Sequence, residues 1–132
     1  MALEGNGLVF SSSRLLRLAE DVESDAVAIS YAAMFLRLLP ERVGRILSAV
    51  REQDIPAALD AVLSLRVRAH MVGGLAMERD CRTLEANLRS GDFAAAARSA
   101  GEVAKDCLPL TRALEEFLRG WQDLEDSKRK QP

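Results

Sequence analysis

A chain of 132 residues has the size of one domain, long enough to bury a single core and too short for two. Apolar residues at 48% and charged residues at 29% exclude a disordered chain, and a net charge of −2 gives no global pull on nucleic acid or anionic lipid. Aromatics are scarce at 5%, while the helix formers Ala, Leu, Arg and Glu dominate, so the composition favours an all-α fold.

Residues 1–10 contain two glycines and an asparagine and predict an N-terminal arm. They lack a basic segment followed by an apolar run, so no signal peptide is expected, and no apolar stretch approaches the ~20 residues needed to span a bilayer. The expectation is a cytoplasmic chain that does not enter a membrane. Ser11, Ser12 and Ser13 offer N-cap hydroxyls to a short amphipathic helix over 14–22.

Ser24 or Asp25 caps the next helix, whose apolar stripe is Val27, Tyr31, Met34, Phe35 and Leu38. Pro40 interrupts the pattern, but Val43, Ile46, Leu47 and Val50 resume it. This predicts one long helix kinked at Pro40, or two helices nearly end to end, finishing near Gln53. Asp54 caps a third main helix with Pro56 in its first turn and Leu59, Val62, Leu65, Ala69 and Val72 facing inward. Gly73-Gly74 breaks or loosens it.

A fourth helix over 75–89 presents Leu75, Met77, Cys81, Leu84 and Leu88. In Ser90-Gly91-Asp92, glycine suits a left-handed stop and Asp92 suits the next N-cap. The last helix is predicted over 93–121, with a bend at Pro109 and with Phe93, Ala97, Val103, Leu110, Leu114 and Phe117 buried. Short connections between long helices imply antiparallel neighbours. The architecture expected is an all-α, up-down four-helix bundle over 11–122 with an additional N-terminal helix, and a charged C-terminal tail over 123–132 ending in Lys128-Arg129-Lys130.

Chemistry-bearing patterns are few. One histidine and two scattered cysteines, Cys81 and Cys107, make no metal site, and both cysteines read as small core residues. Gly73-Gly74 follows no strand and forms no phosphate loop, and no cofactor is expected. Glu78, Asp80 and Glu85 alternate with Arg79 and Arg82, the usual composition of a solvated face.

One longer constellation does stand out. The chain shows Phe35-Leu36-Arg37-Leu38-Leu39-Pro40, then Asp54, Gly73, Cys81-Arg82-Thr83-Leu84-Glu85 and Arg89-Ser90-Gly91-Asp92, with ungapped spacing from Asp54 to Asp92. In this it resembles the histidine phosphotransfer (Hpt) domains of bacterial phosphorelays, over most of its length. The resemblance implies a helical bundle acting in two-component signalling, with a receiver domain or a histidine kinase as partner.

The same spacing places the family's phosphorylated histidine at Leu63, its lysine at Arg66 and its glycine at Val67. Leucine has no lone pair with which to attack an aspartyl phosphate, so transfer through position 63 is excluded. Val67 would also crowd the close approach that a glycine allows. His70 lies seven residues on, roughly 10 Å along the helix. A shifted docking could reach it, although the plainer reading is a partly exposed histidine without chemical duty.

Leu63, Val67 and Met71 follow an i, i+4, i+8 line toward the outward side, beside Arg66, Arg68 and His70. These six residues form the expected partner-binding surface, for a receiver, a kinase or a second copy of the chain. Three functions are compatible with the sequence: a non-phosphorylatable adaptor, a phosphotransfer protein that uses His70, and a self-associating structural bundle unrelated to phosphorelays. The chain is not expected to be an enzyme in the ordinary sense.

Overall fold

The computed structural model describes residues 9–130. The expected Met1–Phe10 arm therefore lies outside the described residues except for Val9 and Phe10. Five helices follow: α1 (Ser12–Asp21), α2 (Asp25–Arg51), α3 (Ile55–Val72), α4 (Leu75–Ser90) and α5 (Phe93–Lys130). Helices α2 to α5 form a closed ring in which each packs on its two neighbours, and α1 lies across α2 and α3. This is the four-helix bundle with an added N-terminal helix. Among the described residues no helix is long and apolar enough to cross a membrane.

Each turn uses the same stop signal. A left-handed residue follows the helix (Glu23, Gln53, Gly73 or Gly91), and the next amide bonds back to a carbonyl five residues earlier. Those bonds are Ser24 N–H to Ala19, Asp54 N–H to Ala49, Gly74 N–H to Ala69 and Asp92 N–H to Asn87, at 2.7–3.1 Å. Restarts are capped by Ser24 on the Val27 amide, Asp54 on Ala57 and Asp92 on Ala95. Gly73 has a second reason to be glycine. A Cβ there would stand 2.1 Å from the Ser11 carbonyl oxygen, where the entry to α1 crosses it and Ser11 N–H donates to the Gly73 carbonyl.

Phe35, Leu39, Ile46, Val62, Leu65, Met77, Leu84, Leu110 and Leu114 fill the core. The predicted faces of α3 and α4 hold, with Leu59 and Leu75 at the half-buried margin. Both cysteines are free thiols, Cys81 buried and Cys107 half-buried.

Several details differ from the expectation. The inward face of α2 is Ala28, Ala32, Phe35, Leu39, Val43 and Ile46, whereas Val27 and Met34 are 53% and 45% exposed. The bulky side chains suggested the stripe, but alanines hold the close contact because their small size lets neighbouring helices approach. The same happens in α5, where Ala96, Ser99 and Ala100 are buried while Phe93 and Ala97 are exposed. Neither Pro40 nor Pro109 ends its helix. Both are exposed, so the carbonyls they leave without partners are on the water side.

Ser11 makes no side-chain cap to α1, and its hydroxyl instead meets that of Ser13 at 2.8 Å. Helix α5 runs on to Lys130, beyond the expected stop near Trp121. The contacts Lys128–Glu125, Arg129–Asp126 and Gln122–Asp126, at i+3 and i+4 spacing, support that extension.

Candidate partner-binding face on α3

Helix α3 carries all six residues predicted to meet a partner. Its inward arc of Val62, Leu65, Ala69 and Val72 fixes their rotation. Val67 is 51% exposed and stands at the crest. Leu63 and Met71 are only half-buried neighbours of that crest, and the Tyr31 hydroxyl reaches the Met71 sulfur at 3.5 Å. The apolar line is therefore open chiefly at its centre.

Guanidinium groups flank the crest on both sides. Toward α2, a cleft gathers Arg42, Arg45 and Arg68 over Leu38, Ala61 and Leu65. Arg68 donates to Ser64 Oγ at 2.6 Å. Arg42 has its pKa lowered by burial and by the like charges of Arg68 and Arg45, against the opposing pull of Tyr31 and Glu41.

Toward α4, a second depression is lined by Arg66, Val67, His70, Glu78 and Arg82. Here the cations are matched by carboxylates. Arg66 Nε lies 3.5 Å from Glu85, an ion pair without a hydrogen bond, and Arg89 meets Glu85 at 3.0 Å.

Glu78 corrects the sequence reading of a solvated face, because it is only 6% exposed. It accepts from Arg14 of α1 at 2.6 Å, from Arg82 at 3.0 Å and, when His70 carries its Nδ1 proton, from that ring at 2.9 Å. Burial raises the pKa of this carboxyl, but the bonds from Arg14, Arg82 and His70 outweigh burial and bring it down to about 2. One carboxylate thus joins α1, α3 and α4.

His70 is exposed and held by the same cluster, since Arg14 lies 2.7 Å from its Nδ1. That nitrogen either donates to Glu78 or accepts from Arg14, according to its proton. Arg14, Arg42, Glu78 and Arg82 were not predicted as site residues. Glu78 was open to detection, because it follows Met77 and precedes Cys81 by three, which places it on the inward arc of α4.

No family model and no curated protein matches the chain. Among solved structures, the HPT domain from the Hpt sensor hybrid histidine kinase of Shewanella aligns with a TM-score of 0.71 and 20% sequence identity. The chain shares the fold of an Hpt domain. The alignment covers 84% of this chain and 94% of that one, so the likeness takes in nearly the whole of the Shewanella domain. At that identity it speaks for the helical architecture alone.

Proposed function

We propose that this chain is an Hpt-like binding module of two-component signalling, which docks a receiver domain or a histidine kinase without accepting phosphate at position 63. The observation that carries this reading is the exposed Val67, set between two arginine-lined clefts on a bundle with the Hpt fold. An apolar crest ringed by guanidinium groups suits a partner with an apolar rim around a carboxylate cluster, as receiver domains have around their phosphorylation site. Leu63 cannot act as a nucleophile, so docking would block or scaffold a partner rather than relay a phosphoryl group.

The test is binding of receiver and kinase domains by calorimetry, with Val67→Asp as the probe. The substitution puts a carboxylate into a dry, arginine-ringed contact without touching the core. Binding should fall at least tenfold, corresponding to about 1.4 kcal/mol, while the circular dichroism spectrum stays helical. Unchanged binding in a folded variant would remove Val67 from the interface.

A second reading, phosphotransfer through His70, is favoured by one observation: a buried glutamate and Arg14 hold the imidazole in place on an exposed surface. Incubation with a labelled phosphoreceiver separates the two readings. The adaptor stays unlabelled, whereas the phosphotransfer protein takes an acid-labile label that His70→Gln abolishes.

A further inference from the structure

The two arginine clefts beside Val67 differ in their charge balance. On the α4 side, Arg14, Arg66 and Arg82 each face Glu78 or Glu85 within 4 Å. On the α2 side, Arg42 and Arg68 have no carboxylate within that distance among the described residues, and Arg45 reaches Glu41 only at 3.9 Å. Three guanidinium groups converge there on a cleft of about 280 Å³. Two carboxylates also line it, Glu41, whose one ion pair is that loose contact with Arg45, and Asp60, which forms none among the described residues, so the three guanidinium groups outnumber them. After burial, the like charges of Arg68 and Arg45 also lower the pKa of Arg42, against the opposing pull of Tyr31 and Glu41.

We propose that the Arg42–Arg45–Arg68 cleft is a binding site for a phosphate-class oxyanion. A doubly charged tetrahedral anion would relieve the repulsion among the three cations. Guanidinium forks match its oxygens with paired N–H donors, a geometry that lysine could not supply. Ser64, which accepts from Arg68, keeps a hydroxyl proton to donate to a bound oxygen. Leu38, Ala61 and Leu65 floor the cleft and lower the local dielectric, which strengthens each of these contacts. The cleft flanks the exposed Val67, because Arg68 is turned about 100° round the helix from it, so a partner docked on Val67 would bring its own phosphoryl group beside the cleft rather than onto the crest. The site does not depend on such docking, because its donors all belong to this chain.

The experiment is an amide-NMR titration of the full chain with inorganic phosphate at constant ionic strength set by chloride. Saturable shifts should be confined to residues 38–45 and 60–68. Arg68→Gln should weaken the apparent affinity about tenfold, the loss expected for charge-assisted bonds, and Arg42→Gln should do the same. Val67→Asp serves to separate this site from the docking reading: phosphate shifts that survive it while receiver binding is lost support two distinct functions. In a second arm, a receiver carrying beryllofluoride at its aspartate should bind more tightly than the bare receiver if the phosphoryl group comes from a partner. Equal binding assigns the cleft to free phosphate. Shifts that do not saturate, or that persist unchanged in both arginine variants, overturn the site.

Discussion

Gln53 ends α2 in the left-handed region at φ 56°, the conformation that Gly73 and Gly91 adopt after α3 and α4. A residue with a Cβ pays about 1–2 kcal/mol there, while glycine adds some freedom to the unfolded chain, so Gln53→Gly should stabilise by about 0.5–1 kcal/mol in urea unfolding. Gln53 is exposed, and no side-chain bond from it is lost. Glu78 presents the opposite case, a side chain whose polarity is fully engaged. Glu78→Gln keeps the shape and discards the charge that Arg14 and Arg82 face. A cost of about 1–3 kcal/mol is expected at pH 7, toward the low end because both arginines keep solvent. Its folded pKa is depressed to about 2 from 4.5, so its contribution is complete above pH 4.5 and is lost as pH falls toward 2. Urea midpoints of the two proteins should therefore differ at pH 7 and converge near pH 2. A constant gap would mean that packing, not charge, is at stake.

At the scale of helices, most boundaries were legible because they are encoded locally. Asp54, Asp92 and the glycines at 73 and 91 announce caps by residue type, and the structure uses all four. Rotation about a helix axis was less legible where alanine carries the contact, as at Ala28, Ala32, Ala96 and Ala100. A small side chain contributes little to a hydropathy pattern yet permits the closest packing. Tertiary charge pairing was not legible at all, since Arg14 and Glu78 are 64 residues apart. The seam between α4 and α5 shows the same limit. Asp106 of α5 faces Asp80 of α4, with Arg79 and Glu102 nearby, and its Oδ2 is buried without a partner. Burial and the neighbouring Asp80 carboxyl raise its pKa to about 8 from 3.8. The folded chain thus holds a proton that the unfolded chain releases, so stability declines as pH rises from about 4 to about 8 and then levels. Asp106→Asn should flatten that decline and melt higher than the parent at pH 9. Parallel melting curves from pH 5 to 9 would show that the carboxyl pair does not hold this proton.

For the molecule as a whole, architecture and chemistry come apart. The bundle needs only inward arcs, caps and stops, and these are satisfied whatever residue stands at 63 or 67. On the proposed reading, phosphotransfer would need an imidazole and clearance at the two outward positions that the motif spacing assigns to Leu63 and Val67. This separation can be measured by restoring the two features in turn. Leu63→His supplies a lone pair but leaves Val67, half exposed one turn away, against any receiver that approaches. Single-variant labelling by a phosphorylated receiver should stay near background. Adding Val67→Gly opens the backbone at a cost to helix stability under about 1 kcal/mol, which the buried core tolerates. Acid-labile label should then appear in the double variant alone. If the single variant labels as fast as the double, Val67 is no barrier and the imidazole at position 63 is the whole difference. If neither labels, the arginine-ringed face holds its partner in a register that does not bring position 63 to the aspartyl phosphate.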